Sequence, residues 1–266
     1  MALYFVERTY AIFTSQDLLH WDLLQKFDLP GDDECPDLYP LTADDGRTLW
    51  VYSGAHDMYF VGDFDENGLY QPIQSVGQLS YNSQSYAAQT YYYEPGKPVI
   101  RFAWNRSDIP GAPFNGSMCT PTEMTLKKHG DRYYLSALPI KSTENLVVKS
   151  DKLDDFTLTH CTHELGSKTC RISFTVKEGD LTCNLYGLEM KLDKNGLTCG
   201  ESILPRLKNE PMKVDIITDT NSVEIYLNGV ANTVIAHVLD ETKPTFTIHA
   251  EDPVEVQNLT VSELSL

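Results

Sequence analysis

The feature that most constrains this chain is the rhythm of its apolar residues. Short runs rich in Tyr, Val, Ile and Phe alternate with polar side chains, and the runs are separated by turn residues. "TLWVYSG" and "MYFVGDF" are separated by the polar "AHD", and "PVIRFAW" follows the turn "EPGK". "EMTLKKHGDRYYLSAL" reads as a hairpin closing at His129-Gly130-Asp131, with Gly130 supplying a positive φ. Helical spacing is nearly absent. One candidate turn lies in "SQDLLHWDLL", and Ser15-Gln16-Asp17 reads equally well as a loop. The pattern predicts an all-β chain.

Two regions differ in their regularity. After about residue 155, "RISFTVKEGDLTCNLYGLEMKLDKNGLTCG" offers three strands with turns at Glu178-Gly179-Asp180 and Lys194-Asn195-Gly196. "KVDIITDTNSVEIYLNGV" is a further hairpin in which Val214, Ile216, Val223, Ile225 and Leu227 alternate with polar neighbours, and "TFTIHA" and "VEVQNLTVSEL" read as two closing strands. Strands at this spacing without helices predict a C-terminal β-sandwich over 156–266. Residues 1–148 have a blade-like recurrence without an exact repeat, and the polar, weakly patterned "KSTENLVVKSDKLDD" marks the boundary between the two.

Bulk properties exclude several partners. With 21 basic and 38 acidic residues in 266, the net charge of −17 repels a phosphate backbone, so no nucleic acid is expected. No apolar run is long enough to span a bilayer, and "MALYFVERTY" has no signal-peptide pattern, so neither a membrane partner nor secretion is expected. Cys35, Cys119, Cys161, Cys170, Cys183 and Cys199 are too sparse for a disulfide scaffold, and they read as free thiols in the cytoplasm. "HCTHELGSKTC" gathers His160, Cys161, His163 and Cys170, yet this spacing fits no usual ligand pattern and no metal site is predicted.

The candidate site begins in "DDECPDLYP", where Glu34 stands before a Cys-Pro step that favours extended backbone. With "FTSQDLLHW", "YFVGDFD", "YAAQTYY", "FAWNRSDIPGAPFNGSMCTPTEMTL" and "YYLSALPIKSTENL" in this order, the chain resembles glycoside hydrolase family 32. That family comprises invertases, levanases, inulinases and other β-fructosidases. "VDIITDTNSVEIYLNG" is similar to its sandwich motif.

The resemblance implies a five-bladed-type β-propeller, here incomplete over 1–148, followed by the sandwich. It places Glu34 at the general acid/base position and puts Tyr86 and Trp104 in the pocket for a fructose-containing saccharide, with no cofactor. A retaining mechanism needs a second carboxylate about 5–5.5 Å away. The family's nucleophile lies in an Asn-Asp-Pro-Asn motif and a further aspartate in Arg-Asp-Pro. Neither motif occurs here, and the one Asp-Pro step is Asp252-Pro253 in the sandwich. Ser80, Asn82 and Gln84 stand in the stretch before "YA-Q" where the family usually has aspartates and a glycine, and Thr122 stands where an arginine is usual. Asp32, Asp33 and Asp37 flank Glu34, with Asp37 expected as a structural acceptor, and Asp63 and Asp65 as turn residues. The Tyr91-Tyr92-Tyr93 run is expected to pack between blades. The expectation is a β-fructosidase-like hydrolase homologue that acts on or binds sucrose- or fructan-type fructosides and is impaired on its own. The alternatives are a non-catalytic carbohydrate-binding or structural protein and an active hydrolase completed by a second chain. A homo-oligomer or a partner chain supplying missing blades is expected.

Overall fold

The structure is a computed structural model that describes all residues except Met1, Glu7, Arg8, Tyr92, Tyr93, Pro95, 109–112, Val238, Glu241 and Leu266, and only the backbone of 2–6. The expectation for Tyr92 and Tyr93 therefore lies outside the described residues. The chain divides into two units, Met1–Arg106 with Ser117–Leu138, and Ser107–Gly116 with Pro139–Leu266.

The first unit is built from three successive antiparallel sheets, the blades of an incomplete propeller. The first holds β1 (Ala2–Val6), β2 (Thr9–Thr14) and β3 (Asp22–Phe27) in that order. The second holds β4 (Asp37–Thr42), β5 (Thr48–Ser53) and β6 (Met58–Phe64), with β7 (Tyr70–Pro72) and β8 (Gly77–Gln78) together forming the fourth position along β6. The third holds β9 (Ser85–Thr90), β10 (Val99–Asn105), the interrupted pair β11 (Ser117–Met118) and β12 (Thr122–His129), and β13 (Arg132–Pro139).

Alternation along these strands sends one set of side chains into the gaps between sheets. Tyr39, Leu41, Leu49, Val51, Val61, Val99, Leu126 and Leu135 form one core drawn from the second and third sheets. Tyr10, Ile12, Leu29, Tyr52 and Tyr70 form another from the first and second, with Phe27 edge-on to Tyr52 at 4.6 Å. Each such aliphatic side chain contributes about 1.5–3 kcal/mol by leaving water. The predicted hairpin at Gly130 is present, with φ +59°. "SQDLLHW" is a bend and not a helix. The Ser15 hydroxyl accepts the Leu18 N–H, and Asp17 accepts those of Leu19 and His20. These local acceptors offer the backbone an alternative to helical bonding.

The second unit begins with a 3-10 turn, Lys141–Leu146, followed by β14 (Val147–Lys152) and β15 (Phe156–Glu164). The stretch that looked unpatterned in sequence therefore carries a strand, because β14 is mostly solvent-facing and shows no apolar alternation. Next come β16 (Cys170–Val176), β17 (Leu181–Leu185), β18 (Leu188–Asp193), β19 (Gly196–Cys199), β20 (Ser202–Pro205), β21 (Met212–Asp219), β22 (Ser222–Leu227), β23 (Ala231–Ala236) and β24 (Thr245–Leu264). They form one sheet in the order β20-β19-β18-β17-β24-β16-β21-β22-β23, with β14 and β15 also on β24.

The sheet curls into a sandwich until its ends meet, and the buried hydroxyls of Ser202 on β20 and Thr233 on β23 lie 2.7 Å apart. The two strands predicted at the C-terminus are one strand of 20 residues. Pro253 sits where the register with β15 shifts between His160↔His249 and Leu158↔Val254, so no ladder bond needs its missing N–H.

Candidate functional site

Glu34 lies on the connection from β3 to β4, exposed, at the entrance to the second sheet. Its backbone is anchored twice. The Tyr10 hydroxyl donates to the Glu34 carbonyl at 2.7 Å, and the Ala55 N–H donates to the same oxygen at 2.9 Å. The next carbonyl, that of Cys35, accepts from Gln89 Nε2 of β9 at 2.8 Å. Cys35 itself has φ +48°, where the Pro step predicted extended backbone. The bonds to both neighbouring carbonyls hold it in this left-handed region, a conformation that costs about 1–3 kcal/mol in a non-glycine residue.

The side chain of Glu34 meets β9. The Tyr86 hydroxyl donates a short hydrogen bond to Glu34 Oε2. That bond, more than partial burial, pushes the Tyr86 phenol up to about 12, because ionising Tyr86 would remove the proton it donates. Trp104 on β10 is the direct strand partner of Tyr86, with ring centroids 6.4 Å apart and 40% of its surface exposed. All three predicted site residues are thus brought together.

Arg106, just beyond β10, places its guanidinium 4.4 Å above the Tyr86 ring and donates from Nε to the Ser83 carbonyl at 2.6 Å. Ala87, next to Tyr86, also has positive φ, +51°, beside a register shift in the β9–β10 pairing. Two strained non-glycine residues therefore flank the Glu34–Tyr86 contact.

Behind this pair lies a layer that the sequence did not reveal. Asp32 has a fully buried side chain. It accepts the His56 N–H at 2.7 Å, and its other oxygen lies 3.4 Å from His56 Nδ1. Burial raises the Asp32 pKa, opposed by its hydrogen bonds from His56. The His56 ring meets Tyr86 edge-on at 4.7 Å. Gly54 makes this packing feasible, since a Cβ there would collide with the Tyr10 hydroxyl and the Asp32 carboxylate. Asp37 is the structural acceptor expected, taking the N–H groups of Thr90 and Leu38. Asp65 closes its hairpin by accepting from Asn67 and Leu69.

Thr122, the departure noted above, faces Arg101 across β10 and β12. Arg101 makes a buried bidentate pair with Asp57 and donates to Ser85. A guanidinium is thus present one strand over from position 122. In the sandwich, Glu224 is buried and accepts from the Tyr226 hydroxyl, and Asn228 turns its strand with φ +53° while bonding Lys213 N–H. Both serve the fold. The sequence cluster around His160 does not converge, because Cys170 sits on β16 with its buried thiol 3.1 Å from the Thr218 hydroxyl.

Fold and site together define a β-propeller and β-sandwich protein with an exposed glutamate–tyrosine–tryptophan cluster at the entrance to its blades. Residues 6–137 match the Glycosyl hydrolases family 32 N-terminal domain. The chain belongs to glycoside hydrolase family 32. It is 28% identical over 162 residues to a fructan beta-fructosidase of Streptococcus mutans, covering 51% of this chain and 11% of that one. It is 26% identical over 202 residues to a levanbiose-producing levanase of Bacillus subtilis, covering 67% of this chain and 38% of the relative. Among solved structures, the exo-inulinase of Aspergillus awamori superposes with a TM-score of 0.76 at 18% identity, over 97% of this chain and 62% of that one. The beta-fructofuranosidase of Schwanniomyces occidentalis gives 0.76 at 20% identity, over 98% and 66%. The chain therefore spans less than half the length of either relative compared by sequence.

Proposed function

We propose that this chain binds β-fructofuranosyl units of sucrose- or fructan-type saccharides around Glu34, and that Glu34 is a general acid/base without a nucleophile of its own among these 266 residues. The observation that carries this reading is the hydrogen bond from Tyr86 to the exposed Glu34 carboxylate, beside the open face of Trp104. A carboxylate so placed protonates or deprotonates a glycosidic oxygen, and an exposed indole packs on the apolar face of a sugar ring. Retaining hydrolysis also requires a carboxylate on the opposite side of the anomeric carbon. Asp32 is committed to His56 and Asp37 to Thr90 and Leu38, so neither takes that role. The names of the relatives, a fructan beta-fructosidase and a levanase, support the substrate class. Six free thiols fit the reducing cytoplasm.

The test is fructose release from sucrose, inulin and levan by the purified chain and by Glu34→Gln, run beside a titration with the same saccharides. Binding without release, lost in Trp104→Ala, is the expected outcome. Release by the wild type that falls by about 10²–10⁴ in Glu34→Gln establishes an acid/base with a recruited nucleophile. One observation favours that second reading. Among the described residues β1 pairs only with β2, so the first sheet has three strands where its neighbours have four positions, and the open edge accepts a strand from another chain.

A further inference from the structure

The sandwich unit carries an imidazole pair that takes no part in the fructoside site. His160 on β15 and His249 on β24 are direct partners across antiparallel strands. Both are exposed, and their ring centroids lie 6.2 Å apart at 61°. Side chains directly opposed in this way start from Cβ atoms roughly 4.5–5.5 Å apart. Two imidazoles sharing one ion, at about 2.0–2.1 Å per nitrogen, have centroids roughly 4.5–6 Å apart. The observed spacing is within a small side-chain rotation of that range, and the exposed His249 ring has room to make it.

A second feature orients one ring. The Thr162 hydroxyl, two residues along β15, lies 3.1 Å from His160 Nε2. Metal-bound imidazoles commonly donate their remote N–H to an oxygen, which fixes the tautomer and raises the basicity of the ligating nitrogen. If Thr162 accepts that proton, Nδ1 of His160 keeps its lone pair for an ion. Beside His249, a cleft is also lined by Glu251, Asp252, Asp193 and Lys191. The carboxylates are oxygen donors and the ammonium is not a ligand.

We propose that His160 and His249 form a surface site for one borderline divalent transition ion, Cu²⁺, Ni²⁺ or Zn²⁺, with water completing the coordination. Neutral imidazole suits these ions, and Cu²⁺ binds most tightly of the three; Ca²⁺ and Mg²⁺, which prefer oxygen, are poor fits. The sequence could not show this site. His160, Cys161, His163 and Cys170 are neighbours in the chain, but the partner of His160 is 89 residues away and is set by the β15–β24 register.

The experiment is a Ni²⁺ titration of the metal-stripped full chain, followed through the histidine ring resonances, with affinity measured by calorimetry. Ni²⁺ is used because, unlike Cu²⁺, it is not reduced by the free thiols. At substoichiometric Ni²⁺ the signals of His160 and His249 broaden first. His160→Gln and His249→Gln each weaken binding at least tenfold, whereas His163→Gln leaves it unchanged. These positions lie on the sheet surface, and circular dichroism verifies that each variant is folded. Wild-type affinity in either single variant, or uniform broadening of all seven histidines, overturns the proposal. Fructoside binding does not enter this test.

Discussion

Asp32 shows how a buried residue behind Tyr86 shapes the cluster around Glu34. Its buried carboxyl holds the His56 loop, His56 meets Tyr86, and Tyr86 donates to Glu34. Burial raises its pKa, so the folded chain holds that proton more tightly than the unfolded chain does. Stability from this group is greatest below the ordinary carboxylate range. It falls as pH rises toward the raised value and is level above it. Asp32→Asn removes the titration and keeps one oxygen for the His56 N–H. Urea midpoints of wild type and variant at pH 4 and pH 7 test this. Relative to wild type, the variant gains stability at the higher pH, and an equal difference at both values would rule out a burial cost at Asp32. That Glu34, Tyr86 and Trp104 come together was legible in sequence because each lies in a short recognisable motif. Asp32, His56 and Arg106 were not, because their roles depend on contacts between segments whose sequence patterns are those of ordinary turns.

At the scale of elements, β24 departs most from what the sequence suggests. "EDPV" has the punctuation of a turn, yet the strand continues through it because the register shift with β15 absorbs Pro253. A second irregularity follows at Asn258, with φ +54°, where pairing with β16 shifts between Ser173 and Thr175. Asp155 accepts the Asn258 N–H at 2.9 Å and secures the bulge. Bulges of this kind bend a strand and increase its twist, which lets β24 pair with β15 and β17 in its first part and with β14 and β16 in its second. Asn tolerates the left-handed region and a β-branched residue does not. Asn258→Val is therefore expected to lower stability by about 1–2 kcal/mol, and Asn258→Gly to leave it within about 0.5 kcal/mol, measured by urea unfolding. Equal stability of the two variants would show that the bulge does not depend on this backbone angle. Hairpins such as β21–β22 were readable because both partners are local and alternate cleanly. A strand whose partners lie 61 (Leu185↔Phe246) to 117 (Val147↔Leu264) residues earlier in the chain leaves no comparable local pattern.

At the scale of the whole molecule, two opposing properties bear on association. A net charge of −17 makes copies repel one another. The bend between β2 and β3 presents Leu18, Leu19, Trp21 and Leu23 to solvent together, Leu19 with 80% of its surface exposed. Apolar residues grouped this way mark an interaction surface more often than singly scattered ones do. Among the described residues β1, in the same sheet, pairs only with β2. The all-β class and the family were visible in the sequence, but this grouping was not, since "DLLHWDLL" reads there as a helical turn or a loop. The expected consequence is self-association that strengthens with salt, because added ions screen the charge within about 10 Å at 0.1 M and leave apolar contact intact. Light scattering at micromolar protein, at low and at high salt, measures it. Leu19→Ser with Leu23→Ser removes apolar surface at exposed positions without opening a core, so the double variant stays folded and dissociates. A wild type that remains monomeric at both salt concentrations means that the patch is simply solvated and that copies of this chain do not associate through it.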